Sequence, residues 1–167
     1  MENALNNISS SVEKFMKEMD KVTQKIAQID SELKEVRAKL EPLEVKILEI
    51  SSKLRETERK LHQKLNKAKR VRKLYLEGAS SPRELETLER DYNQLMKDIH
   101  KLDKEYSKLK EQYEKLVAKE DKLLDKEVEL EEKKASLYNK REELMRQADS
   151  VIKKLSTKIS RTRNPQL

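Results

Sequence analysis

Hydrophobic residues recur along the first half of the chain in alternating steps of three and four. The series starts at Leu5 and continues to Tyr75 for ten heptads, and only Thr57 and Lys64 interrupt it with polar side chains. Three or four such heptads already indicate a coiled coil. A disordered chain, the alternative for so charged a sequence, would not keep this register. The pattern therefore predicts one long amphipathic helix.

A second series of the same period follows from Leu85 to Leu116. Beyond it, one leucine per heptad continues the series to Leu144, and the alternate core positions become polar: Glu120, Glu127, Lys134 and Arg141. Apolar side chains move to neighbouring positions instead: Val117, Leu124, Tyr138, Met145, Ile152 and Ile159. The sequence predicts a second long helix whose core is weaker in its second half.

Gly78, the only glycine, and Pro82 separate the two series. Glycine suits the left-handed conformation just after a helix. Ser81 can cap the next helix, with Pro82 at its first position and Glu84 completing a capping box. Four residues are enough for a tight turn between antiparallel helices. The predicted fold is all-α, an elongated antiparallel two-helix coiled-coil hairpin with its turn near residues 78–81; a single continuous helix in a parallel dimer is disfavoured by the break.

Five segments follow from these patterns. A weaker capping box at Ser10 and Glu13 places the start of regular helix near Ser11. Pro42 removes one helical hydrogen bond, so the first helix is expected to bend there, either as a tolerated kink or as a hinge. The predicted segments are a flexible N-terminal segment (1–10), the first helix (11–77), the turn (78–81), the second helix (82–158) and a flexible basic tail (159–167).

Composition narrows the function classes. The 167 residues contain no cysteine, which excludes disulfides, thiolate metal sites and a cysteine nucleophile. The first fifteen residues lack the features of a signal peptide, and no apolar run is long enough for a membrane span, so the expected location is the cytoplasm. A two-helix hairpin encloses no pocket for a substrate. We expect no enzyme, no cofactor and no metal site.

The expected function is therefore a non-enzymatic interaction or scaffold protein that binds protein partners through helical surfaces. One candidate surface is the hairpin tip: Glu77, Gly78, Ser81, Pro82, Arg83 and Glu84. Another is the apolar seam of the first helix, which consists of Phe15, Met19, Val22, Ile26, Ile29 and Leu33. The seam positions expected to face it on the second helix are alternately apolar and polar. This seam is covered either by the displaced apolar residues of the second helix or by another helix, from a homodimer or a helical partner.

Basic residues suggest an alternative function, electrostatic binding of nucleic acid. Residues 64–73 hold six basic side chains and no acid, although acidic residues beyond the turn could pair with them. The C-terminal segment carries five cations and no acid after residue 150, so it contributes +5 of the net charge of +7. These candidate polyanion contacts are Lys153, Lys154, Lys158, Arg161 and Arg163.

The segment around the turn resembles a known family. Leu74, Tyr75 and Gly78, followed by Pro82-Arg83-Glu84-Leu85 and Leu88, are similar to the tip of the coiled-coil hairpin in bacterial C4-type zinc-ribbon proteins. The resemblance covers about 30 residues and implies a helical hairpin linked to regulation, through transcription, secretion or flagellar components. This chain lacks the four cysteines of the zinc ribbon, so it resembles the hairpin alone.

Overall fold

Two long α-helices pack against each other in a computed structural model of the chain. The structure describes residues 2–78 and 81–163, without the side chains of Ala4, Thr162 and Arg163. Helix α1 spans Glu2–Glu77 and helix α2 spans Pro82–Arg163. The predicted all-α helical hairpin is confirmed, and the helices end and begin on either side of residues 78–81 as the sequence indicates.

Helix α1 begins earlier than the sequence predicts. Residues 2–10, expected to precede the regular helix, are helical. Ser11 donates its hydroxyl to the Asn7 carbonyl at 2.9 Å, a bond to the preceding turn that belongs inside a helix and not at its start. Leu5 and Ile8 continue the heptad series in this segment, which explains why the helix extends through it.

Helix α2 likewise continues beyond residue 158, to Arg163. The expected tail therefore starts inside the helix, and residues 164–167 lie outside the described residues. The flexibility expected of both terminal segments stays a prediction. Pro42 lies inside α1 on an exposed position, and the bend expected there also stays a prediction.

The chain divides into two units. The first contains residues up to Lys39 together with residues from Leu123 onward. Its core includes Val22, Ile26 and Leu144, against which Phe15, Met19 and Leu137 pack. These are the predicted seam positions of the two helices, so the heptad register correctly locates the core of this unit.

The second unit, Leu40–Lys122, contains the turn. Its buried residues include Leu40, Ala68 and Ile99, again at seam positions. The two polar seam residues of α1 are both satisfied. The Thr57 hydroxyl donates to the Lys53 carbonyl at 2.8 Å, and the Lys64 ammonium lies 3.3 Å from the Asp98 carboxylate. A half-buried ion pair therefore replaces an apolar contact at Lys64.

Candidate interaction surfaces

The turn at the hairpin tip is held by a helix cap. The backbone N–H of Glu84 donates to the Ser81 hydroxyl at 3.2 Å, and Leu85 N–H donates to the Ser81 carbonyl at 3.1 Å. Pro82 is the first residue of α2, where its missing N–H costs no helical bond. The predicted role of Ser81 as the cap of α2 is confirmed.

The expectation for Gly78 is wrong. None of the described residues, Gly78 included, has a positive φ. The Gly78 N–H donates to the Leu74 carbonyl at 3.0 Å, which is the ordinary i to i−4 bond of an α-helix. Gly78 therefore extends the last turn of α1, and the direction of the chain changes after it.

Three consecutive large apolar residues are exposed in the last turn of α1. Leu74, Tyr75 and Leu76 keep 53%, 43% and 68% of their surface accessible. Successive helical residues point about 100° apart, so one partner helix cannot cover all three. They line open grooves on the tip: Leu74 with Thr87 and Leu88, and Tyr75 and Leu76 with Leu88 and Tyr92. The predicted tip residues Glu77, Gly78, Ser81, Arg83 and Glu84 line the same region.

The basic block beside the tip is largely free of ion pairs. Lys64 pairs with Asp98. Three of the acids beyond the turn that could pair with the block form no ion pair within 4.0 Å with a described basic residue: Glu86, Glu89 and Asp91. Five cations of the block are exposed: Lys67, Lys69, Arg70, Arg72 and Lys73. The grooves at the tip also include the acidic Glu77, Glu84 and Glu89, so the apolar tip is bordered by charges of both signs.

The candidate seam of α1 is already covered by the chain itself. Val22, Ile26 and Leu33 are only 3%, 5% and 2% exposed, so they have no surface to offer another helix. Phe15, Met19 and Ile29 are half-buried. Leu137 and Leu144 of α2 complete this core, whereas Leu124, Tyr138 and Met145, expected as one possible cover, each remain more than a third exposed.

Ion pairs compensate for the polar core positions of α2. Arg37 contacts Glu131 at 2.7 Å and Glu127 at 3.7 Å, and Lys134 contacts Asp30 at 2.6 Å. The hydrogen bond that the Lys134 ammonium donates to the Asp30 carboxylate raises the pKa of Lys134 above its ordinary value. The heptad pattern of either helix does not predict these pairs. The sequence signal is in the charges, since Asp30 and Arg37 each directly follow an apolar core position of α1 and have charges opposite to Lys134 and Glu127, but it becomes informative only once the register between the helices is known.

The basic end of α2 forms a second candidate surface. Lys153, Lys154, Lys158 and Arg161 line one groove, in which Asp149 is the acidic member. The side chain of Arg163, the fifth predicted contact, lies outside the described residues. Because the helix continues through this segment, the four cations lie on successive turns of α2.

Two searches of the described residues bear on other functions. They contain no cluster of three or more histidine, aspartate or glutamate side chains arranged to hold a metal ion. Neither described helix includes a stretch apolar enough to cross a lipid bilayer.

Comparisons of the chain with protein-family models, with curated proteins and with solved structures found no match. The resemblance of the tip to the hairpins of zinc-ribbon proteins therefore stays a prediction from the sequence.

Proposed function

We propose that the protein is a non-enzymatic coiled-coil interaction protein that binds a protein partner with its hairpin tip. The observation that carries the proposal is the exposure of Leu74, Tyr75 and Leu76 in the last turn of α1. A tip that served only to reverse the chain would need none of these apolar side chains in solvent. Exposed clusters of large apolar and aromatic residues are characteristic of binding surfaces.

The surroundings of the tip define the chemistry of its partner. The grooves take apolar side chains, and charges of both signs line them: the basic Arg70, Arg72, Lys73 and Arg83 and the acidic Glu77, Glu84 and Glu89. The complementary surface is an apolar ridge bordered by charges of both signs, because opposite charges at the rim orient the partners. The resemblance of the tip to the zinc-ribbon hairpins supports this proposal and points to a cytoplasmic regulatory, secretion or flagellar partner.

A pair of substitutions at the tip tests the proposal. Leu74→Ser together with Leu76→Ser removes two of the three exposed apolar side chains while leaving the Ser81 cap and every charge in place. Leu48→Ser is the matched control, because Leu48 is 67% exposed on the same helix, far from the tip in sequence. The full chain and both variants would be used to capture partners from extracts of the source cells, and each captured protein would then be purified and titrated directly.

We expect a captured protein to bind the wild type and the Leu48 variant equally and to lose at least tenfold in affinity for the tip variant. The affinity should change little with salt, because apolar burial is the main contribution. A partner that binds the tip variant as tightly as the wild type would contradict the proposed role of the tip.

Binding of nucleic acid by the basic end of α2 is a second candidate function. It is favoured by the groove shared by Lys153, Lys154, Lys158 and Arg161 and by the exposed cations of residues 67–73. Each phosphate contact lowers the logarithm of the binding constant by about 0.9 per tenfold increase in salt. Titration of duplex DNA and RNA at several salt concentrations tests this function. Replacing the four cations and Arg163 with glutamine should abolish the binding, whereas a flat salt dependence would exclude it.

A further inference from the structure

A second apolar stripe runs along α2 beside the seam, on exposed positions. Val128, Tyr138, Met145 and Ile152 are 57%, 41%, 48% and 49% exposed, and Leu124 is exposed at the start of the stripe. With Ala135, these residues follow one another at intervals of three, four or seven, which places them on one face of the helix. All of them belong to the unit that contains residues from Leu123 onward.

Three carboxylates interrupt the stripe, at Glu131, Glu142 and Asp149, and the first two are paired inside the chain. Glu131 lies 2.7 Å from Arg37, and Glu142 lies 4.0 Å from Arg146. Tyr138 lies beside two cations, with its ring centroid 5.9 Å from Lys134 and 5.6 Å from Arg141. The stripe thus has the spacing of a coiled-coil core, and Asp149, which lies beside the basic groove at the end of α2, is the carboxylate in it that forms no ion pair within 4.0 Å with a described residue.

The residues that border the stripe have a symmetric order of charge. The position directly beside the stripe recurs every seven residues. From one heptad to the next it holds Asp125, Glu132, Asn139, Arg146 and Lys153. Residues 125 and 153 are equally distant from Asn139, and so are residues 132 and 146. Reversing the direction of the helix about Asn139 therefore places each acidic residue opposite a basic one.

We propose that a second copy of this chain binds along this stripe, with the two α2 helices antiparallel and the two-fold axis near Asn139 and Tyr138. The charge order identifies the partner, because an isologous interface must be complementary to itself. In a parallel pair this border would instead face the other border of the stripe, which would place Asp125 opposite Glu120 and Glu132 opposite Glu127 of the copy. The complementary segment from Asp125 to Lys153 spans about four heptads, which is enough for a stable helical pair. This surface and its partner are independent of the function proposed for the tip.

The mass of the full chain in solution tests the interface. Sedimentation equilibrium of the wild type over a range of concentrations should show a shift from 19.8 kDa to twice that mass. Tyr138→Glu combined with Met145→Glu should remain at the monomer mass, because two charges would be buried at the centre of the interface. Val45→Glu with Leu48→Glu is the matched control, because these residues are 52% and 67% exposed outside both the stripe and the tip, and it should dimerise like the wild type. Circular dichroism would verify that both variants are helical.

Charge reversal tests the antiparallel direction. Asp125→Lys with Glu132→Lys makes the border entirely basic, and Arg146→Glu with Lys153→Glu makes it entirely acidic. Each variant alone should lose at least tenfold in dimer affinity relative to the wild type, and an equimolar mixture of the two should recover it as a heterodimer. The wild type itself must also dimerise for the test to succeed. A parallel pair would oppose like charges in the wild type and would therefore disfavour that dimer.

Three results would overturn the proposal. The first is a wild type that stays at 19.8 kDa at every concentration. The second is a dimer that survives Tyr138→Glu with Met145→Glu unchanged. The third is a dimer that each charge-reversal variant alone forms with the same affinity as the wild type.

Because the chain has no cysteine, single cysteines introduced at residues 125 and 153 provide an independent readout of direction. A short bismaleimide should join Asp125→Cys to Lys153→Cys in a mixture, and joining of Asp125→Cys to itself would contradict the antiparallel pair.

Discussion

Two residues define the connection between the helices by different interactions. Ser81 accepts a hydrogen bond from the Glu84 N–H with its side chain, whereas Gly78 contributes only its backbone N–H to the last turn of α1. A methyl group at Gly78 would lie 3.6 Å from the Leu74 carbonyl and from Leu74 Cδ2, which is an ordinary contact distance. The conformation of residue 78 therefore does not require glycine.

We accordingly expect Gly78→Ala to leave the fold intact and to stabilise it by up to ~1 kcal/mol, because alanine loses less backbone entropy on folding. Ser81→Ala should instead destabilise the protein by about 1 kcal/mol, since the Glu84 N–H loses its acceptor. Urea unfolding of both variants measures the two effects. A loss of stability in Gly78→Ala larger than that in Ser81→Ala would show that the glycine is needed at the turn after all.

Lys134 is a second residue whose chemistry depends on one neighbour. The Asp30 carboxylate at 2.6 Å raises the pKa of its ammonium. Because the pKa of Lys134 is higher in the folded state, the pair with Asp30 contributes its full stabilisation at pH values below the pKa that Lys134 has in the unfolded chain. That contribution disappears as the pH rises through the higher pKa of the folded state.

The titration of the Lys134 side chain, followed by NMR of the labelled ammonium, should show this raised pKa in the wild type. Asp30→Asn should lower it, because an amide provides no negative charge. Glu131→Gln is the control, since that carboxylate contacts Arg37 and not Lys134. An Asp30→Asn variant with the wild-type titration curve would mean that the ion pair does not form in solution.

At the scale of the helices, the heptad pattern correctly identifies the residues that form the core. Val22, Ile26 and Leu144 lie at predicted seam positions and are buried together. The pattern does not indicate how the polar core positions of α2 are satisfied, because a heptad describes one helix and an ion pair needs the register between two. For the same reason the sequence could suggest that the seam of α1 lacks a cover, although Leu137 and Leu144 cover it.

Leu144→Ala tests the contribution of this core. The side chain is 6% exposed and packs against Val22 and Ile26, so its truncation should cost about 2–5 kcal/mol. Leu48→Ala makes the same chemical change at a residue that is 67% exposed, and its effect should be below about 0.5 kcal/mol. Chemical denaturation at one protein concentration compares the two. Equal losses would indicate that the seam is not the main source of stability.

At the scale of the whole molecule, the two units differ in how the chain builds them. The unit Leu40–Lys122 is one continuous segment that contains the turn and both of its helical arms. The other unit joins two segments that are separated in sequence by that entire hairpin. Closing a short turn costs much less conformational entropy than bringing together distant segments of a chain. The hairpin unit should therefore be able to fold without the other.

A fragment of residues 40–122 is the direct test of this difference. It keeps the buried residues Ala68 and Ile99, the Lys64–Asp98 pair and the Ser81 cap. We expect it to be helical by circular dichroism and to unfold cooperatively as a monomer. Residues 40–77 alone are the control, because a single amphipathic helix without its partner is at most marginally stable in water. If the longer fragment were no more helical than the single arm, or helical only on self-association, the packing of this unit would depend on the rest of the chain.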